Sequence, residues 1–345
     1  MLGAVFAILA FQKALPNVPQ AGSAFDYFNG VQVSTFEKEF DQSLGFKDAS
    51  ITFWGMLNLA LFQAGKPGVV IGQEGWLFTR EEFEFPQGYD GHVSQNLSFI
   101  RTVHSDLKSK NIDLIIVPVP AKARVASAYL GRHTFPDYRD KIYADFERFL
   151  TAHNITHVDT SSVFDKTKSR ALYLKTDTHW TPEGARYAAH TVAQVLASAF
   201  PYLTYPVTSY DLKIDEPKPY RGDLLRYVRA EPIESFWGIS PDQIRSYQAV
   251  SQDISDDLFS DQTPEIVLVG TSYSANPTWP FIDFLKESIR TDILNMSDEG
   301  KGPFEVMSSY LESDSYHNDS PKLIIWEIPE RYLPMPSNPI KNASP

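Results

Sequence analysis

Apolar residues follow two different spacings along the chain, and the alternation between them predicts an ordered series of strands and helices. Short apolar runs typical of strands buried on both faces occur at 112–117, 265–269 and 323–328. Elsewhere apolar residues recur every three or four positions, which predicts amphipathic helices at 97–107, 138–150, 182–200, 281–289 and 304–311. Shorter strands are predicted at 155–158, at 171–174 and near Ile293, and a turn at 72–75 predicts an early hairpin.

This order of elements predicts an α/β fold with three layers, in which helices cover both faces of a mostly parallel sheet. Residues 201–263 break the pattern, because they are rich in Pro, Tyr, Asp and Ser, and we interpret them as a long excursion over the sheet. We divide the whole chain into four segments: a signal- or anchor-like segment with the residues that follow it at 1–30, a helical preface at 31–67, the main domain at 68–335, which includes the excursion, and a tail at 336–345.

Charge and cysteine content narrow the range of functions. The chain has 31 Lys and Arg against 43 Asp and Glu, a net charge of −12, which repels a phosphate backbone and argues against nucleic acid as a partner. It has no cysteine, which excludes disulfides, thiolate nucleophiles and Cys-containing metal sites. Residues 1–11 are apolar and uncharged, which is typical of a signal peptide or signal anchor, although a buried apolar helix has the same pattern.

The first candidate chemistry lies at 176–183, Thr-Asp-Thr-His-Trp-Thr-Pro-Glu. Thr181 followed by Pro182 predicts the start of a helix, so Asp177 and His179 lie in the loop before it. Residues two apart in an extended loop project to the same side, which lets the Asp177 carboxylate orient the His179 imidazole. The alternative is a solvated loop in which both side chains serve only local turns.

The second candidate is Ser272, two residues beyond Gly270 at the end of the predicted strand 265–269. A serine in that turn presents its hydroxyl at the carboxyl edge of the sheet, where open α/β folds bind their ligands. Backbone N–H groups of the turn, with Tyr273 and Asn276, are candidates for stabilising an oxyanion. The alternative is that Ser272 only caps the next helix.

Several other polar groups are weaker candidates. Lys122 and Arg124 follow the strand 112–117, and Arg331 follows the strand 323–328, so each is positioned to bind substrate at the same edge. A structural ion pair, such as Arg331 with Glu327 or Glu330, is the alternative. His153, His157 and Asp159 have the residue types of a metal site, but Asn154 and Ile155 predict that the helix ends there, and we expect no metal.

Five motifs together resemble the bacterial alginate O-acetyltransferases of the AlgJ type, in the SGNH hydrolase-like superfamily. The similarity covers about residues 68–335, and its motifs are Gly-Trp-Leu-Phe at 75–78, Val-Pro-Val-Pro-Ala-Lys-Ala-Arg at 117–124, the 176–185 segment, Gly-Thr-Ser-Tyr-Ser-Ala-Asn at 270–276 and Trp-Glu-Ile-Pro-Glu-Arg-Tyr at 326–332. The resemblance implies an SGNH-like fold with a circularly permuted chain order. His179 precedes Ser272 by 93 residues, in keeping with that order.

The resemblance also implies a periplasmic O-acetyltransferase with an Asp177, His179 and Ser272 triad, needing no cofactor. It would act in acetylation of an exported, alginate-like polysaccharide through an acetyl-serine intermediate. Its implied partners are an acetyl donor, a polysaccharide acceptor, a membrane protein that delivers acetyl groups and other polysaccharide-modification subunits, and an N-terminal signal anchor would tether it to the inner membrane. Two alternatives remain open: an acetyl esterase of the same fold, and a non-catalytic subunit of polysaccharide biosynthesis.

Overall fold

The computed structural model describes residues 68–166, 172–228, 238–252, 264–318 and 321–337. The predicted segments 1–30 and 31–67 lie outside them, as does most of the tail. The strands are β1 Val69–Ile71, β2 Leu77–Thr79, β3 Asp113–Val119, β4 Tyr210–Ile214, β5 Lys218–Tyr220, β6 Asp242–Ile244, β7 Tyr247–Ser251, β8 Ile266–Val269, β9 Leu294–Asn295 and β10 Leu323–Pro329. The helices are α1 Tyr89–Ser109, α2 Lys122–Val125, α3 Asp137–Ala152, α4 Thr160–Lys166, α5 Pro182–Ala199, α6 Ser272–Ala275, α7 Phe281–Ile289, α8 Pro303–Leu311 and α9 Asp314–Asn318.

A four-stranded parallel sheet in the order β3-β10-β8-β9 forms the centre of the described domain. Ile325 in β10 lies opposite Ile115 of β3 and Leu268 of β8. The predicted strand at 155–158 contributes a single parallel bridge, between Ile116 and His157, at the outer edge of β3. The predicted α/β fold with a parallel sheet is confirmed.

Helices cover both faces of this sheet, because successive side chains of a strand point to opposite faces. On one face Ile115, Leu268 and Ile325 pack against α5, α7 and the β1–β2 hairpin. On the other, Ile116 and Trp326 pack against α1, α3 and α8. In the part of the chain that the structure describes, no helix combines the length and the apolar composition needed to cross a bilayer.

The strand predicted at 171–174 is wrong for the three residues that the structure describes. Tyr173 instead makes an isolated antiparallel bridge with Trp180, and the Leu174 N–H donates to the carbonyl of His179. The apolar residues 172–174 therefore pair with their own continuation. This closes residues 175–179 into a tight loop, which we call the site loop.

The excursion at 201–263 contains ordered strands that its composition did not predict. Within its described residues, β4 pairs with β7 and β5 with β6, both antiparallel. The excursion packs against α7, where the Asp283 carboxylate accepts a hydrogen bond from the Ala249 N–H at 2.7 Å. After β5 the chain continues into a 3₁₀ turn, Asp223–Tyr227, whose first residue reaches the site loop.

We predict that Ile325→Ala lowers the free energy of unfolding by about 2–5 kcal/mol, because a fully buried side chain in the central strand leaves a cavity. Chemical denaturation measures this loss. The matched control is Val250→Ala in β7, where the side chain is 46% exposed and the change should stay within about 0.5 kcal/mol. Equal losses in the two variants would contradict the placement of β10 at the centre of the core.

Candidate functional site

Ser272 lies at the carboxyl edge of the sheet, where β8 has just ended. Thr271 adopts an extended conformation before α6, and its hydroxyl oxygen accepts a hydrogen bond from the Tyr273 N–H at 3.3 Å. Ser272 is the first residue of α6 and is half-buried. The sharp turn from strand to helix leaves its hydroxyl at the edge of the sheet, as the sequence predicts.

The site loop brings His179 and Asp177 to this hydroxyl. The Nε2 atom of His179 lies 2.7 Å from Ser272 Oγ, and its Nδ1 atom lies 2.6 Å from Asp177 Oδ1. Asp177 is fully buried and His179 is 8% exposed. The three predicted residues therefore form one continuous chain of hydrogen bonds.

The ionisation of Asp177 fixes the direction of this chain. Burial alone would raise the pKa of Asp177, but the hydrogen bond and charge of His179, with the N–H groups of Asp223 and His179, lower it to about 2. An ionised carboxylate only accepts hydrogen bonds, so Nδ1 of His179 must donate. When the imidazole is neutral, its Nε2 then carries the lone pair and accepts from the Ser272 hydroxyl.

Asp177 accepts hydrogen bonds at both carboxylate oxygens. Oδ1 accepts from His179 N and Nδ1, and Oδ2 accepts from the Tyr220 hydroxyl at 3.0 Å and the Asp223 N–H at 2.8 Å. These four bonds match the four lone-pair positions of a carboxylate. Asp177, His179 and Asp223 are close enough to share a metal ion, but Asp177 already uses all its lone pairs for hydrogen bonds.

The predicted interruption of the histidine spacing is confirmed. Helix α3 ends at Ala152, and His153 is its C-cap. The Nδ1 atoms of His153 and His157 contact the carbonyls of Phe149 and Ile155, respectively. His153, His157 and Asp159 therefore do not share one helix face.

Carboxylates hold the N–H groups of the site loop. The Asp242 carboxylate accepts from the N–H groups of Lys175 and Thr176, at 2.7 and 2.9 Å, and from the Thr176 hydroxyl. The Asp223 carboxylate accepts from the N–H and hydroxyl of Thr178, both at 2.9 Å. A loop without helix or sheet bonds needs such partners when it is buried.

Donors from three other segments hold the carbonyl groups of the same loop. The buried Lys122 ammonium donates to the carbonyls of Lys175 and Asp177, at 3.0 and 2.8 Å. The Leu224 N–H donates to the Thr176 carbonyl, and the Tyr273 hydroxyl donates to the Thr178 carbonyl at 2.7 Å. Negative groups therefore face the N–H side of the loop, and donors face its carbonyl side.

A buried glutamate supports the turn that carries Ser272. Glu327 of β10 accepts hydrogen bonds from the Thr271 N–H at 2.7 Å, from the Thr271 hydroxyl and from the Ser274 hydroxyl at 3.1 Å. Burial raises the pKa of Glu327 to about 7, although these bonds oppose the rise. A Cβ atom at Gly270 would lie 2.6 Å from Glu327 Oε2, so the close approach requires glycine.

Two aromatic rings enclose the imidazole. Trp279 stacks on His179 with ring centres 4.2 Å apart and planes 15° apart, and Tyr273 lies 4.7 Å away on a tilted plane. The Trp279 Nε1 atom also donates to the Ser272 carbonyl at 2.9 Å. One side chain thus orients the ring of His179 and the backbone of Ser272 together.

The remaining predicted residues contact other protein groups. Arg124 forms ion pairs with Glu330 at 3.2 Å and Asp140 at 2.9 Å, so Glu330 pairs with Arg124 rather than with Arg331. The buried Arg331 guanidinium lies 5.7 Å from the Tyr273 ring centre and 5.1 Å from that of Tyr332.

The two predicted oxyanion candidates are both engaged in local hydrogen bonds. The Tyr273 N–H donates to the Thr271 hydroxyl, and the Asn276 N–H donates to the Ser272 carbonyl at 3.3 Å. The Asn276 side-chain oxygen accepts from the Thr278 N–H.

Sequence reasoning missed the residues that the excursion contributes. Tyr220, Asp223 and Asp242 all contact the site loop or Asp177, yet they lie in a region without apolar periodicity. The local signal was the Gly222-Asp223 dipeptide, which favours a turn. A Cβ atom at Gly222 would lie 2.2 Å from the Thr176 carbonyl carbon, so the excursion touches the site loop at backbone distance.

Comparison with known proteins supplies the family. The family model described as SGNH hydrolase-like domain, acetyltransferase AlgX, matches residues 69–330. A Pseudomonas aeruginosa protein named "Probable alginate O-acetylase AlgJ" is 36% identical over 338 residues, covering 94% of this chain and 86% of that protein.

Two solved structures share the fold. The O-acetyltransferase domain of Pseudomonas putida AlgJ matches with a TM-score of 0.71 and 35% identity, over 79% of this chain and 94% of that one. Pseudomonas aeruginosa AlgX matches with a TM-score of 0.60 and 29% identity, over 76% of this chain and 62% of that one. The recognition made from the five motifs is confirmed: this chain belongs to the family of SGNH hydrolase-like acetyltransferase domains that includes the AlgJ alginate O-acetylases and AlgX.

Proposed function

We propose that this protein is a periplasmic O-acetyltransferase that acetylates an exported, alginate-like polysaccharide through an acetyl-serine intermediate. The observation that carries the proposal is the hydrogen-bonded chain from Asp177 through His179 to Ser272. Such a chain is the arrangement that activates a serine nucleophile in unrelated acyl-transfer enzymes. Membership of an acetyltransferase family favours acetyl as the transferred group.

The first half of the reaction acetylates Ser272. Its Oγ attacks the carbonyl carbon of the acetyl donor while His179 Nε2 takes the hydroxyl proton. The donor's leaving group departs as its bond to the acetyl carbon breaks, and it receives that proton from Nε2. Asp177 stays ionised and stabilises the imidazolium that forms in between.

The second half transfers the acetyl group to the polysaccharide. A sugar hydroxyl gives its proton to Nε2 and attacks the acetyl carbon, and Ser272 Oγ leaves and recovers the proton. Within the described residues the Ser272 N–H donates no hydrogen bond, whereas those of Tyr273 and Asn276 are already engaged. We therefore assign the Ser272 N–H as a donor to the oxyanion, and we keep Asn276 as a second donor through its side-chain amide nitrogen, because the contact with Thr278 uses only the amide oxygen.

The proposed setting follows from the family and from the amino terminus. The relatives named as alginate O-acetylases favour a polysaccharide acceptor, and the apolar residues 1–11 favour export with an N-terminal signal anchor. A net charge of −12 opposes capture of a free polyanion. We therefore include among the partners a membrane protein that delivers acetyl groups and other subunits that present the polymer.

We predict that Ser272→Ala lowers the rate of acetate release from a small acetyl ester by about 10⁴-fold or more, because it removes the nucleophile. Thermal unfolding should change little, since the half-exposed hydroxyl contributes little packing. His179→Ala should cause a similar loss, and the double variant should be no worse than either single change. A folded Ser272→Ala protein with wild-type activity would contradict the assignment of Ser272 as the nucleophile.

We predict that Asp177→Asn lowers the same rate by about 10⁴-fold, because an amide can donate to Nδ1 and turn the imidazole to the wrong tautomer. The matched control is Asp145→Asn on α3, an exposed carboxylate that pairs with Arg148 and should leave the rate unchanged. Steady-state kinetics at neutral pH measure both variants. Equal rates for Asp177→Asn and wild type would show that Asp177 does not orient the base.

We predict that the donor ester alone leaves an acetyl group on Ser272, and that adding oligosaccharide moves this group to a sugar hydroxyl. Mass spectrometry of the protein and of the sugar after rapid quenching measures both products. The Ser272→Ala variant is the control for labelling at other residues. The protein could instead become labelled and release only acetate, even when uronic-acid oligomers and partner proteins are present. That result would show that it is an esterase and not a transferase.

A further inference from the structure

Lys122 is a buried lysine at the site, and its surroundings differ from those of a substrate-binding cation. Its side chain is 1% exposed, although lysines are rarely buried. The ammonium donates to three backbone carbonyls, those of Leu77 at 2.5 Å, Lys175 at 3.0 Å and Asp177 at 2.8 Å. An ammonium has three N–H donors, so these bonds use all of them and leave none for a ligand.

The three carbonyls belong to two different segments. Leu77 lies in β2 of the hairpin, and Lys175 and Asp177 lie in the site loop. The nitrogen also lies 5.3 Å from the Trp76 ring centre and 5.2 Å from that of Phe78, so the hairpin supplies an aromatic cover. Lys122 therefore joins the hairpin to the loop, and one of its bonds ends on the backbone of Asp177.

The charges around Lys122 give it a further effect. Four carboxylates act on it electrostatically from four segments: Glu82 after β2, Asp177 in the site loop, Asp223 in the 3₁₀ turn and Asp242 in β6. Three of these carboxylates hold N–H groups of the site loop. A neutral side chain at 122 would leave the Asp177 carbonyl without this donor and the carboxylates without their shared cation, while the Lys175 carbonyl would keep only the Leu77 N–H at 2.8 Å.

We propose that Lys122 is a positioning residue, whose positive charge holds the site loop in the conformation that places Asp177 behind His179. The inference rests on the proposed function, because it assumes that Asp177 and His179 activate Ser272. Lys122 touches no reacting atom, and its effect passes through the carbonyls of Lys175 and Asp177. A loop displaced by about 1 Å from the productive geometry costs about 10²-fold in rate.

The charge of Lys122 also gives the proposal a dependence on pH. Burial lowers the pKa of Lys122 to about 8, against the opposing attraction of Asp242, Glu82, Asp177 and Asp223. Above about pH 8 the amine keeps two hydrogens for three carbonyls. Between pH 8 and about 10.5, the ordinary pKa of a lysine, the unfolded chain keeps the ammonium proton of Lys122 and the folded chain has lost it. Stability rises with pH where the unfolded state binds more protons, so in this range the contribution of Lys122 to the free energy of unfolding increases. Activity should therefore fall above about pH 8, although deprotonation of Lys122 does not destabilise the folded protein there.

The test measures how fast a small aryl sulfonyl fluoride labels Ser272, because this reports the nucleophile without an acceptor or a natural donor. Lys122→Met keeps the length of the side chain and removes the charge, and labelling should slow about 10²-fold. The control is Lys322→Met, whose ammonium donates to the Thr204 carbonyl and to Glu265, at the opposite end of β10. Its labelling rate should stay within about two-fold of wild type.

The unmodified protein supplies the second measurement. Its labelling rate, corrected for decay of the reagent, should fall as pH rises through about 8, while thermal unfolding shows that it remains folded. Lys122→Arg keeps its charge and should show no such fall, even where its neutral rate is lower. If Lys122→Met does not fold, the pH profiles of the wild-type protein and of Lys122→Arg test the proposal in its place.

Two results would overturn the proposal: Lys122→Met labelling within about two-fold of wild type, or a wild-type rate that stays level up to pH 10. Failure of the proposed function looks different, because wild-type Ser272 would then not be labelled at all. Labelling that slows equally in Lys122→Met and Lys322→Met would indicate a general loss of stability, and it would also overturn a specific positioning role.

Discussion

Charged and hydroxyl side chains hold most of the backbone of the site loop, together with the backbone N–H groups of Leu77 and Leu224. Asp242 and Asp223 accept from its N–H groups, and Lys122 and Tyr273 donate to its carbonyls. A buried backbone group that loses its partner costs about 1–3 kcal/mol. The positions of Asp177 and His179 therefore depend on side chains that come from α2, the excursion and α6.

Buried carboxylates do the same work at the neighbouring strand ends. Glu327 holds the turn after β8, Glu82 accepts from the N–H groups of Lys122 and Ala123, and Glu330 accepts from that of Ala121. Burial raises the pKa of Glu327 and of Glu330 to about 7, so each anion is costly to maintain. Burying these anions at the carboxyl edge of the sheet lowers the stability of the fold, but their hydrogen bonds fix the turns there, as a preorganised site requires.

The sequence predicted the parts of this arrangement that depend on local patterns. The runs at 112–117, 265–269 and 323–328 became β3, β8 and β10, because strands buried on both faces need continuous apolar composition. It could not predict Tyr220, Asp223 or Asp242, since their contacts depend on the path of the excursion. Residues 172–174 have strand composition but pair with their own loop, and only tertiary context decides between these partners.

The contact at Gly222 has a consequence for exchanging segments between members of this family. The excursion lines a cavity of about 590 Å³ that includes Lys213, Tyr220 and Thr278, and a graft of the excursion would therefore change this cavity. Yet the same segment passes the Thr176 backbone at a distance that only glycine permits, and its next residue fixes Thr178. A chimera must therefore keep Gly222 and Asp223 together with the site loop of the recipient protein, because these two residues fix the backbone on either side of Asp177.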